Sequence, residues 1–326
     1  MDIIEKANTD LTVACWAGTA VGKWLLLAHR GVDIFDLSVA QREYDGNSRT
    51  DRYRINTRTW LQGDTHMIMR GNIFSKILGM DTGLTVVAPN DPLPDGDYSV
   101  AYVLHGLCGN NATWADYSML PAYAAKGRTV YVLPEVARSF YADMRSGFAY
   151  FSYITSELPS LCRSLFRISA KRENTAVIGC SMGGYGALKC ALSRPDLYGM
   201  CGAFSSPCLF LRDGMEYLRT HRDDPEVIAQ YGEKLIMDFT LAFGDDLDWV
   251  SENDVLALAE GMKDGGDRPR FYSTCGKEDY FLEDNKKFSR KMVEFGFSYQ
   301  YETLDGGHNF EFFDKALKRS IEIFSL

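Results

Sequence analysis

The chain has no run of basic residues, and its formal net charge is −9. Such a surface repels phosphate backbones and anionic lipid, so nucleic acid and membrane surfaces are not expected partners. It has no Cys-x-x-Cys pair. The eight cysteines, Cys15, Cys108, Cys162, Cys180, Cys190, Cys201, Cys208 and Cys275, stand apart, several of them in apolar runs such as Met200-Cys-Gly-Ala-Phe204. That usage fits buried thiols in a reducing cytoplasm better than a disulfide framework. Histidine and cysteine never cluster at ligand spacing, so no zinc site is expected. No internal repeat and no low-complexity tract occurs. The apolar stretch from Leu11 to Ala28 lacks the features of a signal or anchor. Three acids and one lysine precede it, Lys23 interrupts it, and no small-x-small cleavage site follows. It reads as a helix or strand packed on the body of a protein that is not exported.

What is present is ordinary for a soluble enzyme. At 326 residues, 46% hydrophobic and 24% charged, the chain has ample material for a core. Residues 1–64 read as an N-terminal extension of unknown role, partly disordered. Gln41 to Arg54 in particular is polar and without period. From residue 65 onward, short strands alternate with amphipathic helices. Strands are expected at Leu84–Pro89, Ser99–Leu104, Arg128–Pro134, Ala176–Ile178, Met200–Ser205, Pro269–Cys275 and Ser298–Leu304. Helices are expected over 147–166, after Met182, over Glu283–Phe295 and over Phe310–Phe324. Residues 208–268 are acidic and helical in pieces, an insertion over the end of the sheet. This alternation predicts an α/β fold, a mostly parallel central sheet with helices on both faces. In such sheets the chemistry collects at the carboxyl ends of the strands.

Three strand ends carry suggestive residues. The first is Gly179-x-Ser181-x-Gly183, with a strand before it and a helix after it, the context of a nucleophile elbow. The second is the acidic stretch after Cys275. There Asp279 is the candidate to orient a histidine, with Glu278 and Asp284 as competitors. The third is the glycine-flanked His308, the candidate general base among His29, His66, His105, His221 and His308. The order Ser181, Asp279, His308 is that of an α/β-hydrolase fold. After Leu104, the turn at His105-Gly106 offers the Leu107 N–H as one oxyanion donor, and the Met182 N–H is the other. His105 itself reads as structural, a side chain that shapes the turn. Cys180 precedes the nucleophile position and is not expected to act.

The segments His105-Gly-Leu-Cys-Gly-Asn-Asn-Ala-Thr-Trp114, Leu133-Pro-Glu-Val-Ala-Arg-Ser-Phe-Tyr141, Gly179-Cys-Ser-Met-Gly-Gly-Tyr-Gly-Ala-Leu188, Cys275-Gly-Lys-Glu-Asp279 and Gly306-Gly-His-Asn-Phe310 together resemble the esterase D-type α/β hydrolases. The match falls in the tributyrin-esterase and acetylesterase branch and covers roughly His66 to Leu326. The resemblance implies a serine carboxylesterase acting on short acyl esters, acetylated sugars among them, through an acyl-serine and without metal or cofactor. S-formylglutathione hydrolases belong to the same wider group. There the position of Tyr185 tends to be histidine, and the catalytic histidine lies in a Tyr-Asp-His-Ser setting in place of Gly-Gly-His308-Asn. Feruloyl esterases and acyltransferases are further relatives by fold. Trp114, Phe140 and Tyr141 are candidate pocket walls, together with the 208–268 insertion. A small-molecule ester is the expected partner, with self-association left open.

Overall fold

The computed structural model describes residues 65–326, apart from 91–94, 249 and 264. Of residues 1–64 it describes only four strand segments. Thr12–Trp16 pairs antiparallel with Trp24–Ala28, and Arg42–Glu43 pairs antiparallel with Arg52–Tyr53. The role and order expected of the N-terminal extension, and the packing of Leu11–Ala28, lie outside the described residues. The chain divides into two units, Met1–Gly63 and Asp64–Leu326. The second holds every candidate site residue.

That second unit is built on eight strands: β1 (His66–Ser75), β2 (Met80–Pro89), β3 (Ser99–Leu104), β4 (Thr129–Pro134), β5 (Thr175–Cys180), β6 (Met200–Phe204), β7 (Arg270–Gly276) and β8 (Tyr299–Leu304). They form one sheet in the order β8-β7-β6-β5-β3-β4-β2-β1. From β4 to β8 neighbouring strands run parallel, and the β1–β2 and β2–β4 pairs are antiparallel. The expected α/β-hydrolase fold is the one found.

The central strands read as continuous apolar runs because both their faces are covered. In β3, Val100, Tyr102 and Leu104 belong to one core and Ala101 and Val103 to the other. Helix α1 (Thr113–Tyr117), helix α2 (Leu120–Ala124) and the C-terminal helix cover the second face, where Trp114, Leu120, Phe312 and Leu317 are buried. On the first face lies α3 (Leu158–Leu165), which continues a helical turn at Tyr150–Ser152 and a π-helical turn at Tyr153–Glu157. It shares that face with α4 (Met182–Ser193), where Leu158, Cys162 and Leu188 are buried.

The region at 208–268 resolves into four helices, α5 (Leu211–His221), α6 (Pro225–Tyr231), α7 (Glu233–Phe243) and α8 (Val255–Gly261). Two helices close the chain, α9 (Leu282–Glu294) and α10 (Phe310–Phe324). The strand not anticipated from sequence is β1. Seven of its first eight residues are exposed, on both faces, so it shows no alternation for a periodicity reading to find. It is held instead by its full-length pairing with β2, from His66 opposite Pro89 to Ser75 opposite Met80.

Strand order also places the site. β3 lies between β4 and β5, so the chain leaves it for one neighbour and later returns to the other. The loops after β3 and β5 therefore part, and a crevice opens between them at the carboxyl edge. Register brings the strand ends level: Leu104 pairs with Gly179, Cys180 with Phe204, Phe204 with Thr274 and Gly276 with Leu304.

Candidate active site

Ser181 occupies the turn between β5 and α4 at φ 54°, ψ −127°. That backbone region is sparsely populated by any residue with a side chain and costs on the order of 1–3 kcal/mol. The sheet and the helix hold it there together. The Ser181 N–H donates to Phe204 O at 2.8 Å, which extends the β5–β6 pairing by one residue. Its carbonyl accepts from the N–H groups of Gly184 and Tyr185, which starts the helix. The flanking glycines are steric necessities. A Cβ on Gly179 would overlap the Gly183 carbonyl, and one on Gly183 would overlap the Leu104 carbonyl, so backbone meets backbone where the helix leaves the sheet.

Two more loops converge on this serine. His308 Nε2 lies 2.9 Å from Ser181 Oγ, and His308 Nδ1 lies 2.9 Å from Asp279 Oδ2. The carboxylate can only accept, so the ring proton belongs on Nδ1, and Nε2 is left to accept the serine proton. The loops after β7 and β8 are zipped together by backbone: Lys277 N–H donates to Leu304 O at 2.9 Å and Glu278 N–H to Gly306 O at 3.1 Å. Asn309, next to His308, caps α10 by accepting from the Phe312 N–H. A loop bonded on one side and a helix start on the other leave the histidine little freedom. Its ring lies among Tyr280, Phe281 and Phe313, with centroids 4.8, 5.5 and 5.2 Å away.

Asp279 is buried, and burial alone would raise its carboxyl. Hydrogen bonds from His308, the Phe281 N–H and Ser205 outweigh that and hold it below the usual carboxylate range. It therefore stays ionised behind the histidine. Neither competitor takes its place: Glu278 is exposed, and Asp284, also exposed, lines the cleft without reaching the His308 Nδ1. Cys180 is buried, and burial pushes its thiol up, which keeps it protonated and unreactive.

Ser181 and His308 open into a cleft of about 880 Å³ that Gly106, Leu107 and Met182 also line. Met182 N–H is the first of α4, and Leu107 N–H belongs to the turn after β3. Neither donates to a protein acceptor among the described residues. Two N–H groups left open beside a serine hydroxyl are what a developing oxyanion requires. The insertion supplies the apolar side of the cleft through Leu209, Phe210, Met215, Tyr231, Leu235 and Phe239, and Phe140 joins them there.

Two expected wall residues are not walls. Trp114 is fully buried behind the cleft, and its Nε1 donates to Leu104 O at 2.9 Å. Tyr141 is fully buried too, its hydroxyl donating to His105 O at 2.8 Å. Both spend their polar ends on the backbone that leads into the Leu107 turn, so their work is to support it. Tyr185 is likewise buried, its hydroxyl on Asn253 O, so this departure from the thioesterase pattern faces packing and not substrate.

Sequence reasoning did not single out Arg138 or Lys189. Arg138 donates from Nε to Asp238 Oδ2 at 2.8 Å and from Nη1 to Leu107 O at 3.4 Å, so it ties α7 to the turn after β3. Lys189 is buried within α4 and donates to Tyr141 O at 3.0 Å and to Asn253 Oδ1. A lysine inside the apolar run Gly186-Ala-Leu-Lys-Cys-Ala-Leu192 was a legible signal for the second. The first pairs across a hundred residues and had none.

Comparison with known proteins places the chain in a family. A family model described as putative esterase matches residues 75–322. The acetyl esterase of Caldicellulosiruptor saccharolyticus is 28% identical over 268 residues, covering 78% of this chain and 97% of that protein. The S-formylglutathione hydrolase of Bos taurus is 31% identical over 152 residues, 45% of this chain and 46% of that one. Among solved structures, a substrate-bound fluorophosphonate-binding serine hydrolase of Staphylococcus aureus superposes with a TM-score of 0.67 at 26% identity. It covers 80% of this chain and 99% of its own. An S-formylglutathione hydrolase apoenzyme from the same organism gives 0.66 at 25% identity, with the same coverage. With three-quarters of its length matched by one family model and a hydroxyl, imidazole and carboxylate in contact at its strand ends, this chain belongs to the esterase family of α/β hydrolases and is a carboxylic ester hydrolase.

Proposed function

We propose that the enzyme cleaves short-chain acyl esters, acetyl esters first among them, by two-step acyl transfer through Ser181. The observation that carries this is the unbroken chain from Ser181 Oγ to His308 to Asp279, at 2.9 Å and 2.9 Å. His308 takes the proton from Ser181 as its oxygen attacks the ester carbonyl. The N–H groups of Leu107 and Met182 hold the oxyanion, each worth about 3 kcal/mol in rate. His308 then gives its proton to the leaving alcohol. Water, deprotonated by the same ring, cleaves the acyl-enzyme, and Asp279 stays ionised throughout.

The acetyl preference rests on the acetyl esterase relative, which the chain matches over nearly that protein's whole length, and on an insertion that covers the sheet's end. Placement in the tributyrin-esterase and acetylesterase branch rests on the motifs around Ser181 and His308. A cytoplasmic setting is supported by seven free cysteines among the described residues, five of them buried. No helix among the described residues is long and apolar enough to cross a membrane.

The test is turnover of a p-nitrophenyl ester series by the wild type and Ser181→Ala. The variant is expected to lose activity by about 10⁴-fold or more, and the wild type to favour acetyl and butyryl over octanoyl and longer esters. Equal rates across chain lengths would refute the short-acyl reading, and a Ser181→Ala protein with wild-type turnover would refute the mechanism. S-formylglutathione belongs in the same panel, because several of the relatives are named for its hydrolysis. A kcat/KM for it above those of the acetyl esters would replace the ester reading with a thioesterase one.

A further inference from the structure

The peptide unit joining Gly106 to Leu107 has the proposed oxyanion donor at one end and the Gly106 carbonyl at the other. That carbonyl accepts from the Gly109 N–H at 2.9 Å and lies 2.8 Å from His105 Nδ1. The other ring nitrogen, His105 Nε2, lies 3.2 Å from the Val136 N–H. A backbone amide can only donate, so Nε2 must be the acceptor there. The ring is buried, and burial lowers its pKa against the opposing pull of the Glu135 carboxylate, whose Oε1 lies 3.6 Å from Nε2. With Nε2 accepting from the Val136 N–H, the neutral ring carries its one proton on the other nitrogen. That proton is on Nδ1 and points into Gly106 O.

We propose that His105 is a positioning residue for catalysis, whose Nδ1–H both fixes the Gly106–Leu107 peptide plane and polarises its N–H toward the oxyanion. The proposal rests on the esterase reading above and on Leu107 as a donor. Physically, hydrogen bonds accepted by an amide carbonyl draw density from its nitrogen and strengthen the bond the N–H can give. A plane held from its carbonyl end also needs no reorganisation when charge appears on the substrate oxygen. The surroundings fit this task. Tyr141 and Trp114 pin the carbonyls of His105 and Leu104, and the Glu135 carboxylate accepts from the N–H groups of Asn111 and Ala137 on either side. All three support the turn from outside the cleft.

Two substitutions separate this role from simple packing. In His105→Asn the side-chain amide nitrogen stands close to where Nδ1 was and can still donate to Gly106 O. In His105→Gln the longer side chain reaches Val136 but leaves Gly106 O without that donor. With one oxyanion donor weakened, His105→Gln is expected to lose about 10- to 100-fold in kcat with KM unchanged, and His105→Asn to stay within about threefold of wild type. Affinity for a boronic acid, whose tetrahedral adduct occupies the oxyanion site, should fall in step with kcat/KM. Equal losses in both variants, or a loss confined to KM with boronate affinity intact, would overturn the proposal. A third measurement needs no variant. A long-range proton–nitrogen correlation spectrum of the wild type should show His105 protonated on Nδ1 and bare on Nε2 at neutral pH. The opposite tautomer, or an imidazolium, would overturn it. Failure of the esterase reading is distinguishable, because it would appear as an active Ser181→Ala protein.

Discussion

Asp279, the proposed orienting acid, has contacts that link stability to the proposed catalysis. Its Oδ2 orients His308 and its Oδ1 accepts the Phe281 N–H, so removing the charge disturbs both. Asp279→Asn is expected to lower kcat by about 10³- to 10⁴-fold, because an amide nitrogen facing Nδ1 favours the wrong ring tautomer, while KM changes little. The carboxyl is held below its ordinary range in the folded protein, so its stabilising contribution is fully present above the unfolded-state value. It is lost as pH falls through the lowered folded value. Urea midpoints of wild type and Asp279→Asn should therefore converge as pH drops below about 4. A constant gap across that window would show that the carboxylate's partners do not stabilise its charge.

At the scale of an element, α4 carries more than the proposed nucleophile at its start. Its N-terminal glycines let the helix approach the sheet, and its interior holds Lys189, whose ammonium group reaches Tyr141 O and Asn253 Oδ1. That contact ties together the helix, the segment after β4 and the loop before α8. Burial lowers Lys189 to about 8. The unfolded chain holds the same proton up to about pH 10.4, so between these values the unfolded state binds more protons and stability rises with pH. Below about pH 8 both states are charged and the burial penalty is complete. The stability of wild type relative to Lys189→Met should thus grow between about pH 8 and pH 10. A difference flat with pH would mean that the lysine keeps its proton throughout.

At the scale of the molecule, the second unit contains the whole sheet, both cores and every candidate site residue. A protein beginning at Asp64 is expected to fold cooperatively and keep kcat/KM on p-nitrophenyl acetate within about threefold of the full chain. An insoluble product, or a loss of a hundredfold, would give the first 63 residues a part in folding or catalysis. A fold shared by many chemistries does not by itself name a reaction. Here the reaction follows from what stands at the strand ends.

Much of this was legible in sequence, for local reasons. An elbow needs glycines two residues either side of the serine because a strand turns at once into a helix, and that constraint is written in adjacent letters. Strands covered on both faces must be apolar throughout, so β3, β4, β5 and β6 stood out as runs, and α10 began and ended where its pattern did. The order of serine, acid and histidine followed from the order of strands. Other features depend on packing between distant segments. Whether Trp114 and Tyr141 face substrate or core was decided by the backbone carbonyls they meet, those of Leu104 and His105. The partnership of Arg138 with Asp238, the tautomer of His105 and the pairing that sustains the exposed β1 likewise exist only once remote elements are in contact. The sequence by itself determined which groups are proposed to do the chemistry, because their spacing is dictated by local backbone turns. Only the tertiary structure decided which groups hold them in place and which line the cleft, because both depend on the neighbour a side chain meets across the fold.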